Sequence, residues 1–472
     1  MKIIISNVLE IQQPTKDILD YCKKVLTISN PEYEKKKHLG FWLGKTPKTI
    51  KLYEKYNDNI YLPIGCFSDI FNIHPKIDDY TDYTSVSKRN IQSNIILRSY
   101  QEPCINAVKK YMTGILLLPA GTGKTQIALQ CASELKQHTL FLTHTKELLN
   151  QAKQRCEDNL VCSTSTITEG KCDSSGDIVF ATVQTLSNVI KNDNIKQNEF
   201  GMIIVDECHH LATNAESVTM FETCINYFNA RYKIGLTATL SRSDGLQKTT
   251  EKILGNVIYE LKKEKNNLVG YYDGNEVVRV PLEQFQVPAI VYMKKTQYKP
   301  SDACFDITDR VVYTKLISDL TSNFDRNKLI LETCKNLRGY SIVVSERVDQ
   351  LKWFEERLSL CARIDSKMKK KDREKIVQDF RSGRYKYLLA TYSLIAEGFD
   401  VPMLENIVMA SPIKDRKTVI QSVGRCQRPY GHKKLAKVYD FDDDVSILKG
   451  KNGAFNNRRI TYKKEGWEMI YV

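Results

Sequence analysis

The sequence predicts an α/β protein with two parallel-sheet units in tandem, preceded by a small N-terminal α+β unit. Continuous apolar runs of the fully buried kind, such as Met202–Val205 and residues 406–410, alternate with helical patterns. A glycine-rich turn follows one apolar run, and two acidic residues follow another. With 472 residues, the chain is long enough for two or three domains.

The composition is that of a soluble, basic protein. Lysine and arginine number 70 against 56 aspartates and glutamates, which gives a net charge of +14. This excess favours a polyanionic partner, most simply nucleic acid, although a lysine-rich proteome would produce the same excess.

No segment predicts secretion or membrane insertion. The apolar run near the N-terminus is three residues long, and no stretch approaches the roughly 20 apolar residues of a membrane helix. The 13 cysteines are scattered without a C-x-x-C pair, so we expect reduced thiols and a cytoplasmic protein.

Residues 1–92 form the N-terminal unit. We expect a helix over residues 16–26 and short strands over residues 41–44, 46–48 and 60–64. The polar stretch 80–94 is expected to be a linker. Residues 1–96 contain 14 Lys/Arg against 11 Asp/Glu, so this unit is not an obvious electrostatic arm.

Residues 114–127 read GILLLPAGTGKTQI and join an apolar strand to a helix through a glycine-rich turn. Backbone N–H groups of such a turn, and the positive end of the helix, hold a polyphosphate. Lys124 would contact the β- and γ-phosphate oxygens, and the Thr125 hydroxyl would bind Mg²⁺. Leu118 stands where the longest form of this pattern has glycine, so the turn is of a shorter type. The expected nucleotide-binding residues are Pro119, Ala120, Gly121, Thr122, Gly123, Lys124 and Thr125.

A helix is predicted from about residue 97 to residue 111, just upstream of the phosphate turn. Arg98 and Gln101 at its start would contact an adenine edge, because an amide presents a donor and an acceptor side by side. An ordinary helix start explains the same residues equally well.

The apolar run Met202–Val205 is followed directly by Asp206, Glu207, Cys208 and His209. Side chains at the carboxyl end of a buried parallel strand face the ligand crevice of the sheet. Asp206 would hold Mg²⁺ through water and Glu207 would polarise the attacking water. A helix cap is the alternative explanation, but the phosphate turn in the same unit favours catalysis.

Residues 232–236 predict a further strand that ends in Thr237-Ala238-Thr239, whose hydroxyls could relay occupancy of a phosphate site. Residues 261–285 then break the pattern. An alternating segment around Asp273-Gly274 predicts a β-hairpin there, and we place the connection between the two units in this region.

The second unit repeats the alternation of strands and helices without a sequence repeat. Strands are expected over residues 341–345, 387–390, 406–410 and 435–441, and helices over 311–320, 328–337 and 348–358. Residues 421–428 are predicted to be helical. Arg425 and Arg428 are three residues apart, so both guanidiniums would point one way and suit a polyphosphate, unless they are two surface arginines.

The C-terminal residues 451–472 are basic and aromatic. They would either bind a nucleic-acid backbone with some stacking or pack back as a helix with one charged face, and the residues favour neither. The residues concerned are Phe455, Arg458, Arg459, Tyr462, Lys463, Lys464, Trp467 and Tyr471.

In this order the motifs resemble those of superfamily 2 helicases of the DExH type, from about residue 97 to residue 441. The matching segments are 97–101 (adenine motif), 119–125 (motif I), 143–151 (Ia), 206–209 (II), 237–239 (III), 397–400 (V) and 421–428 (VI). Residues 235–246 and 396–402 are similar to the XPB and UvsW branch, which mostly translocates on duplex DNA. The N-terminal unit and residues 456–467 resemble phage and large-DNA-virus members, near the poxvirus type.

The resemblance implies two RecA-like domains with ATP between them. It assigns residues 1–92 to an accessory domain with a nucleic-acid-binding role as one expectation, 93–260 to domain 1, 261–285 to a linker hairpin, 286–450 to domain 2 and 451–472 to a tail. ATP and Mg²⁺ are the implied cofactors, with Thr125 and Asp206 at the metal.

The resemblance also assigns individual residues. The implied catalytic residues are Lys124, Asp206, Glu207, Arg425 and Arg428, the two arginines coming from domain 2. Further nucleotide contacts are implied for Gly398, Asp400 and Gln421. Nucleic-acid contacts are implied near Thr143, Lys146, Ser345 and Thr391.

The implied activity is ATP-driven movement on DNA or unwinding of DNA, with transcription or replication machinery as a partner. An RNA helicase or transcript-release factor is one alternative, and an ATP-switched nucleic-acid clamp or sensor is another. Two departures stand out. Ser422 occupies the position of a motif VI arginine in many members, and residues 158–176 match no motif.

Overall fold

The computed structural model describes residues 1–74, 88–119, 121–168, 171–209, 215–240, 247–264, 268–273, 276–306, 308–396, 401–451 and 453–472. The chain divides into two compact units. The first contains Met1–Lys262 and Val269–Arg279, and the second contains Lys263–Leu268 and Val280–Val472.

The first unit begins with a small α+β region. Its elements are β1 (Lys2–Ile5), β2 (Val8–Gln12), α1 (Lys16–Lys24), β3 (Thr27–Ser29), α2 (Pro31–His38), β4 (Thr49–Lys51), β5 (Glu54–Tyr56), β6 (Asn59–Pro63) and α3 (Phe67–Ile73). An antiparallel sheet of order β1-β2-β6-β5 lies beside the pair β3-β4. Strands β1, β2 and β6 alternate buried and half-buried residues, so one face of the sheet forms a core.

The predicted helix over residues 16–26 and the strand over residues 60–64 are confirmed as α1 and β6. The strands predicted over residues 41–44 and 46–48 are wrong, because these residues form a loop after α2. Their aromatic side chains, Phe41 and Trp42, are exposed, so this segment has no face to bury in a sheet.

Polar contacts connect the N-terminal region to the rest of the first unit. The Lys233 ammonium is buried, and Lys233 Nζ donates to the Asn7 carbonyl oxygen at 2.9 Å. Burial lowers the pKa of Lys233 to about 7. The Asn7 backbone N–H donates to Asn229 Oδ1 at 3.0 Å, and Asp69 pairs with Lys252.

The remainder of the first unit is a parallel sheet covered by helices. Its elements are β7 (Gln92–Ser93), α4 (Gln101–Tyr111), β8 (Thr113–Leu117), α5 (Lys124–Leu135), β9 (Thr139–Thr143), α6 (Lys146–Asn159), β10 (Leu160–Val161), β11 (Thr164–Ile167), β12 (Ile178–Thr182), α7 (Val183–Lys191), β13 (Met202–Val205), α8 (Ala215–Tyr227), β14 (Tyr232–Thr237), α9 (Gln247–Leu254) and β15 (Val257–Glu260). The main sheet has the order β11-β12-β9-β13-β14-β8-β15, with parallel pairing throughout.

Part of the segment 158–176, which matches no motif, is explained by this sheet. Strand β11 pairs in parallel with β12 and extends the sheet by one edge strand. The short strand β10 pairs with β7. The described part of this segment, which excludes residues 169 and 170, therefore contributes strands to the first unit.

A small sheet follows in the chain, with strands β16 (Lys262–Lys263), β17 (Leu268–Asp273) and β18 (Glu276–Pro281) in that order. The two strands predicted on either side of Asp273-Gly274 are confirmed as β17 and β18. Gly274 itself lies outside the described residues.

The second unit is also a parallel sheet with helices. Its elements are β19 (Ala289–Lys295), α10 (Tyr313–Ser322), α11 (Phe324–Lys335), β20 (Ser341–Ser345), α12 (Val348–Glu355), β21 (Cys361–Ile364), α13 (Lys370–Arg381), β22 (Tyr387–Thr391), α14 (Tyr392–Ala396), β23 (Asn406–Met409), α15 (Arg416–Cys426), β24 (Ala436–Asp442), α16 (Ser446–Lys449), α17 (Ala454–Glu465) and β25 (Glu468–Tyr471). The sheet order is β21-β22-β20-β23-β24-β19-β25.

The two large sheets have the same topology. When the strands of each sheet are numbered along the chain, both orders read 3-4-2-5-6-1-7. The predicted fold class of two tandem RecA-like sheets is therefore confirmed. The two units have no sequence repeat from which this common strand order could be predicted. Topology depends on which apolar strands become neighbours and not on the identity of their side chains.

The C-terminal residues pack back on the second unit. Helix α17 buries Phe455, Arg458 and Tyr462, while Lys463 and Lys464 on the same helix stay exposed. Strand β25 then pairs in parallel with β19 as an edge strand. Of the two alternatives for this region, the helix with one charged face is the observed one.

Two buried ion pairs fasten the second unit together. The Arg458 guanidinium donates to both carboxylate oxygens of Asp440, at 2.8 and 2.9 Å. Arg326 contacts Asp443 in the same two-pronged way, at 2.7 and 3.0 Å. Removing one partner of such a pair leaves a buried, uncompensated charge, which costs about 3–5 kcal/mol.

Two further properties concern the cysteines and the helices. All 13 cysteines are free thiols. Of the helices in the described ranges, none is both long enough and apolar enough to cross a membrane.

Candidate functional site

The phosphate turn connects β8 to α5 and depends on glycine. Gly121 and Gly123 have φ angles of +86° and +79°, a region that favours glycine. A Cβ atom on Gly123 would lie 2.8 Å from Gln101 Nε2. The Thr122 hydroxyl donates to the Pro119 carbonyl oxygen at 2.8 Å, across the turn. The turn therefore presents backbone N–H groups at the start of a twelve-residue helix, as a polyphosphate requires.

The order of strands brings the turn close to the acidic pair. Strand β14 pairs with β8 on one side and with β13 on the other. The Leu118 N–H donates to the Thr237 carbonyl oxygen at 2.8 Å, so the end of β14 anchors the turn. Thr237 thus lies between the phosphate turn and Asp206, at the carboxyl ends of three neighbouring strands.

Asp206 and Glu207 follow β13 directly. The Asp206 N–H donates to the Leu142 carbonyl oxygen at 2.9 Å, which continues the ladder with β9. Glu207 has a φ angle of +48°, a strained conformation for a residue with a side chain. Glu207 Oε1 lies 3.6 Å from Lys124 Nζ. The structure therefore brings Lys124, Asp206 and Glu207 together, as the sequence predicted.

The electrostatics of the pair favour a cation. Burial and the negative charge of Glu207 raise the pKa of Asp206 to about 6, while Lys124 and Arg155 act against this rise. In the described residues no cluster of three or more His, Cys, Asp or Glu side chains could hold a metal ion. The Thr125 hydroxyl and the Asp206 carboxylate suit Mg²⁺, which usually takes only one or two protein ligands beside phosphates and water.

A series of polar contacts leads away from Glu207. Glu207 Oε2 lies 3.2 Å from His209 Nδ1, and that nitrogen lies 2.7 Å from Thr237 Oγ1. The Thr239 N–H donates to Thr237 Oγ1 at 3.2 Å. The Thr237 hydroxyl and the Thr239 backbone are therefore connected to the acidic pair through His209.

The predicted adenine motif contacts the phosphate turn. Gln101 is buried, its Nε2 donates to the Thr122 carbonyl oxygen at 3.1 Å, and its Oε1 accepts from the Arg98 N–H at 2.9 Å. The Tyr100 hydroxyl donates to the same Thr122 carbonyl at 3.0 Å. A ligand bound beside Gln101 would therefore contact a residue that is hydrogen-bonded to the phosphate turn. Ala120, also expected to contact nucleotide, lies outside the described residues.

Arg155 is a site residue that the sequence reasoning missed. Its Nη1 donates to the Thr125 hydroxyl at 3.1 Å. Burial lowers the pKa of the guanidinium, and the negative charge of Asp206 opposes this. One signal was available in the sequence. Ala152 and Cys156 belong to the buried apolar stripe of helix α6. Arg155 lies beside this stripe, so a fully exposed side chain is not expected at that position.

The predicted site residues of the second unit that the structure describes lie on α15 or just beyond its end. Gln421 and Arg425 are half-buried on α15. The predicted helix over residues 421–428 ends earlier than expected, because α15 ends at Cys426 and Arg428 lies two residues beyond it. Ser422 is fully buried on the same helix, which accounts for a small residue there. Gly398 and Asp400 lie outside the described residues.

The predicted nucleic-acid residues fall into two groups. Thr143 and Ser345 are fully buried, and their hydroxyls donate to the Thr145 carbonyl oxygen and to Gln350 Oε1. Both hydroxyls are therefore hydrogen-bonded within the protein at covered strand ends, and a nucleic-acid contact near these two residues stays a prediction. Lys146 is exposed, and Thr391 lies at the end of β22 with slight exposure.

Two family models match the chain. Residues 94–242 match the family described as "Type III restriction enzyme, res subunit", and residues 325–430 match the "Helicase conserved C-terminal domain". The first range includes the phosphate turn and the acidic pair, and the second includes Arg425 and Arg428. The chain belongs to helicase superfamily 2. This helicase is an ATP-dependent helicase or translocase that acts on nucleic acid.

Relatives of the helicase cover most of its length. It is 28% identical over 366 residues to the DNA 3'-5' translocase XPB2 of Sulfurisphaera tokodaii, with 72% of this chain and 80% of that protein covered. It is 25% identical over 419 residues to a protein of Acanthamoeba polyphaga mimivirus provisionally named ATP-dependent RNA helicase L396, with 83% and 73% covered.

A solved structure supports the fold of the helicase. S. cerevisiae Dbp5 bound to RNA and ADP BeF3 aligns with a TM-score of 0.54 at 16% identity, over 79% of this chain and 89% of that one. At this level of identity the similarity concerns the fold alone.

The position of Glu207 leads to a prediction. Glu207→Gln keeps the size of the side chain but removes the carboxylate charge that is predicted to polarise water, so we expect ATP turnover to fall about 10²-fold or more. ATP should still bind, because Lys124 and the phosphate turn are unchanged. Turnover is measured by phosphate release, and binding by a fluorescent ATP analogue.

The control for this variant is Glu134→Gln. Glu134 lies on α5, where it forms a partly exposed pair with Lys109, and its charge should not affect turnover. Rapid hydrolysis by the Glu207→Gln protein would remove Glu207 from the role of general base.

Proposed function

We propose that this superfamily 2 helicase uses ATP hydrolysis to move along DNA. The observation that carries the proposal is the cluster of Lys124, Asp206 and Glu207 at one edge of the first large sheet, with Lys124 Nζ 3.6 Å from Glu207 Oε1. This cluster combines a phosphate-binding cation, a candidate metal ligand and a general base. A clamp that only switches its affinity would not need the base.

We assign the following roles to the residues of the first unit. The backbone of the phosphate turn and Lys124 bind the β- and γ-phosphates. Thr125 and Asp206 hold Mg²⁺, which neutralises phosphate charge when bound. Glu207 orients the attacking water and accepts its proton, and His209 connects Glu207 to Thr237.

One proposed Mg²⁺ ligand, the Thr125 hydroxyl, already has a hydrogen-bond partner in the first unit. The Thr125 hydroxyl accepts a hydrogen bond from Arg155 Nη1. We infer that Arg155 would orient this hydroxyl and would serve as a counter-charge for Asp206. Arg155 is therefore proposed as a positioning residue.

Arg425 and Arg428 are proposed to stabilise the charge that develops on the transferred phosphate. They belong to the second unit, whose match to a helicase C-terminal domain covers both. Gln421 on the same helix, with Gly398 and Asp400, is proposed to complete the nucleotide contacts. Hydrolysis would then drive a conformational change that produces a step along the nucleic acid.

DNA is proposed as the substrate because the relative with 80% of its length matched is named a DNA translocase. The net charge of +14 favours binding through the phosphate backbone. Lys146 and Thr391 remain proposed contacts. An RNA substrate is the second candidate, since another relative is named an RNA helicase.

Two further proposals concern the cellular compartment and the partners of the protein. We propose that the protein works in a reducing, cytoplasm-like compartment, because all 13 cysteines are free thiols. We also propose that it works with transcription or replication machinery, where movement along DNA is used.

The test of this function is the ATPase rate with four ligands added in turn. The ligands are duplex DNA, single-stranded DNA, duplex RNA and single-stranded RNA, at equal nucleotide concentration. We expect at least a tenfold stimulation by DNA over RNA. Greater stimulation by RNA would assign the protein to RNA, and equal rates with and without nucleic acid would favour a clamp.

A further inference from the structure

An exposed aromatic loop lies in the N-terminal region, and we call residues 30–48 the aromatic tip. It is the segment between β3 and β4, which pair with each other. Trp42 is 87% exposed, its neighbour Phe41 62% and Leu39 50%. A single exposed aromatic is ordinary, but adjacent large apolar side chains in solvent indicate a surface that receives a partner.

The base of the aromatic tip is held closed by Asn30, which is fully buried. Its Oδ1 accepts from the Glu32 N–H at 3.1 Å and caps α2, and its Nδ2 donates to the Pro47 carbonyl oxygen at 2.8 Å. Its backbone N–H donates to the Lys48 carbonyl oxygen at 3.1 Å. Asn30 thus joins the two ends of the tip, through its side chain to Pro47 and through its backbone to Lys48.

The upper part of the aromatic tip is also held by specific contacts. Lys36 Nζ donates to Thr46 Oγ1 at 2.8 Å, and the Phe41 N–H donates to the Lys36 carbonyl oxygen at 2.9 Å. Gly44 has a φ angle of +52°, and a Cβ there would lie 3.1 Å from the Trp42 ring. The aromatic side chains are therefore presented by a built loop, which lowers the entropy lost on binding.

The charge of the N-terminal region is concentrated in the aromatic tip. The tip contains five lysines and two glutamates, a net of +3, which equals the whole net charge of residues 1–96 with their 14 Lys/Arg and 11 Asp/Glu. No acidic residue lies between positions 35 and 48. The exposed lysines are Lys35, Lys37, Lys45 and Lys48.

We propose that the aromatic tip binds unpaired nucleotides. Trp42 and Phe41 stack on bases, and the surrounding lysines contact the phosphates on either side. Stacking without base-edge hydrogen bonds accepts any sequence, which suits a protein that moves along its substrate. The proposal rests on the proposed function only in that the ligand is nucleic acid. The lysines favour this ligand over an apolar protein surface, because a protein partner would have to supply several acidic groups.

The test uses the intrinsic fluorescence of Trp42. The chain has three tryptophans, of which Trp467 is buried and Trp353 is half-buried, so Trp42 is the solvent-facing one. A dT 20-mer added to the full-length protein without nucleotide should quench the fluorescence. In Trp42→Phe this quenching should disappear while binding, followed by anisotropy of a labelled 20-mer, is retained.

Truncation of the side chain should weaken binding. Loss of one stacked base corresponds to a fall in affinity for the dT 20-mer of about 5- to 150-fold in Trp42→Ala. The control is Tyr56→Ala, which removes an aromatic of β5 that lies outside the tip and is 69% exposed. The melting temperature and the ATPase rate without nucleic acid should be unchanged in both variants.

The outcomes separate this proposal from the proposed function. If the wild-type protein binds the dT 20-mer but Trp42→Ala binds it equally well, the aromatic tip is not a nucleotide site and the helicase function stands. Quenching by a blunt 20-base-pair duplex alone would overturn the preference for unpaired bases. If the wild-type protein binds no nucleic acid at all, the proposed function fails as well.

Discussion

The Lys124→Ala variant is expected to lose ATP hydrolysis and to keep nucleic-acid binding. Lys124 begins α5 within the phosphate turn, and its Nζ is the cation 3.6 Å from Glu207 Oε1. Removal of a preorganised positive group from a phosphoryl-transfer site should lower turnover by at least about 10³-fold. Lys124 also lowers the pKa of Asp206, so its loss would favour the protonated carboxyl and weaken metal binding.

The measurements for Lys124→Ala are phosphate release and binding of a labelled oligonucleotide. Lys191→Ala is the control, because Lys191 is an exposed lysine in the last turn of α7. Its turnover should match the wild type. Turnover by Lys124→Ala within a few-fold of the wild type would show that the phosphate turn is not the site of hydrolysis.

The Arg428→Ala variant is expected to slow turnover by about 10³- to 10⁵-fold, the usual effect of removing an arginine finger. The affinity for ATP should change little, because a finger acts on charge that develops in the transition state. Arg428 lies just beyond α15 and is half-buried. Arg425→Ala, on the helix itself, tests whether one or both arginines act.

The control for Arg428→Ala is an arginine on the neighbouring helix α15. Arg416 begins α15 and pairs with Glu465 at 3.2 Å on a partly exposed surface. Such a pair contributes about 0–1 kcal/mol, so Arg416→Ala should hydrolyse ATP normally. A wild-type turnover in Arg428→Ala would remove this residue from the site, and a large loss of ATP affinity would make it a ground-state contact.

These predictions concern residues that local sequence patterns mark. The chemical groups at the phosphate turn and at residues 206–209 could be predicted because each follows a recognisable apolar run. Their neighbourhood could also be predicted in part, since the carboxyl ends of parallel strands share one edge. The placement of Thr237 between them was not predicted, because it depends on β14 pairing with both β8 and β13.

Arg155 shows where this kind of prediction stops. Its sequence context, in a helix after β9, has no motif that marks a nucleotide site. Only the packing of α6 brings its Nη1 within 3.1 Å of the Thr125 hydroxyl, across 30 residues of chain. The hydroxyls of Thr143 and Ser345 show the opposite case. Their motif positions imply a nucleic-acid contact, but the fold buries them.

The C-terminal residues illustrate the same limit. Composition left Arg458 as either a phosphate contact or a packed residue, since an arginine suits both. The structure pairs its guanidinium with Asp440 inside the second unit, and β25 completes the sheet. A choice between these states depends on whether a buried carboxylate is available, and that carboxylate lies 18 residues away in sequence.

The sequence by itself determined the α/β class, the phosphate turn, the acidic pair and the likeness to superfamily 2 helicases. These are local properties, set by apolar runs, glycines and charges within a few residues of one another. The tertiary structure decided which side chains share the site, which predicted contacts are buried, and that two sheets without a sequence repeat have one strand order. It also decided that Phe41 and Trp42 stand in solvent, because burial depends on strand pairing and packing between residues far apart in the chain.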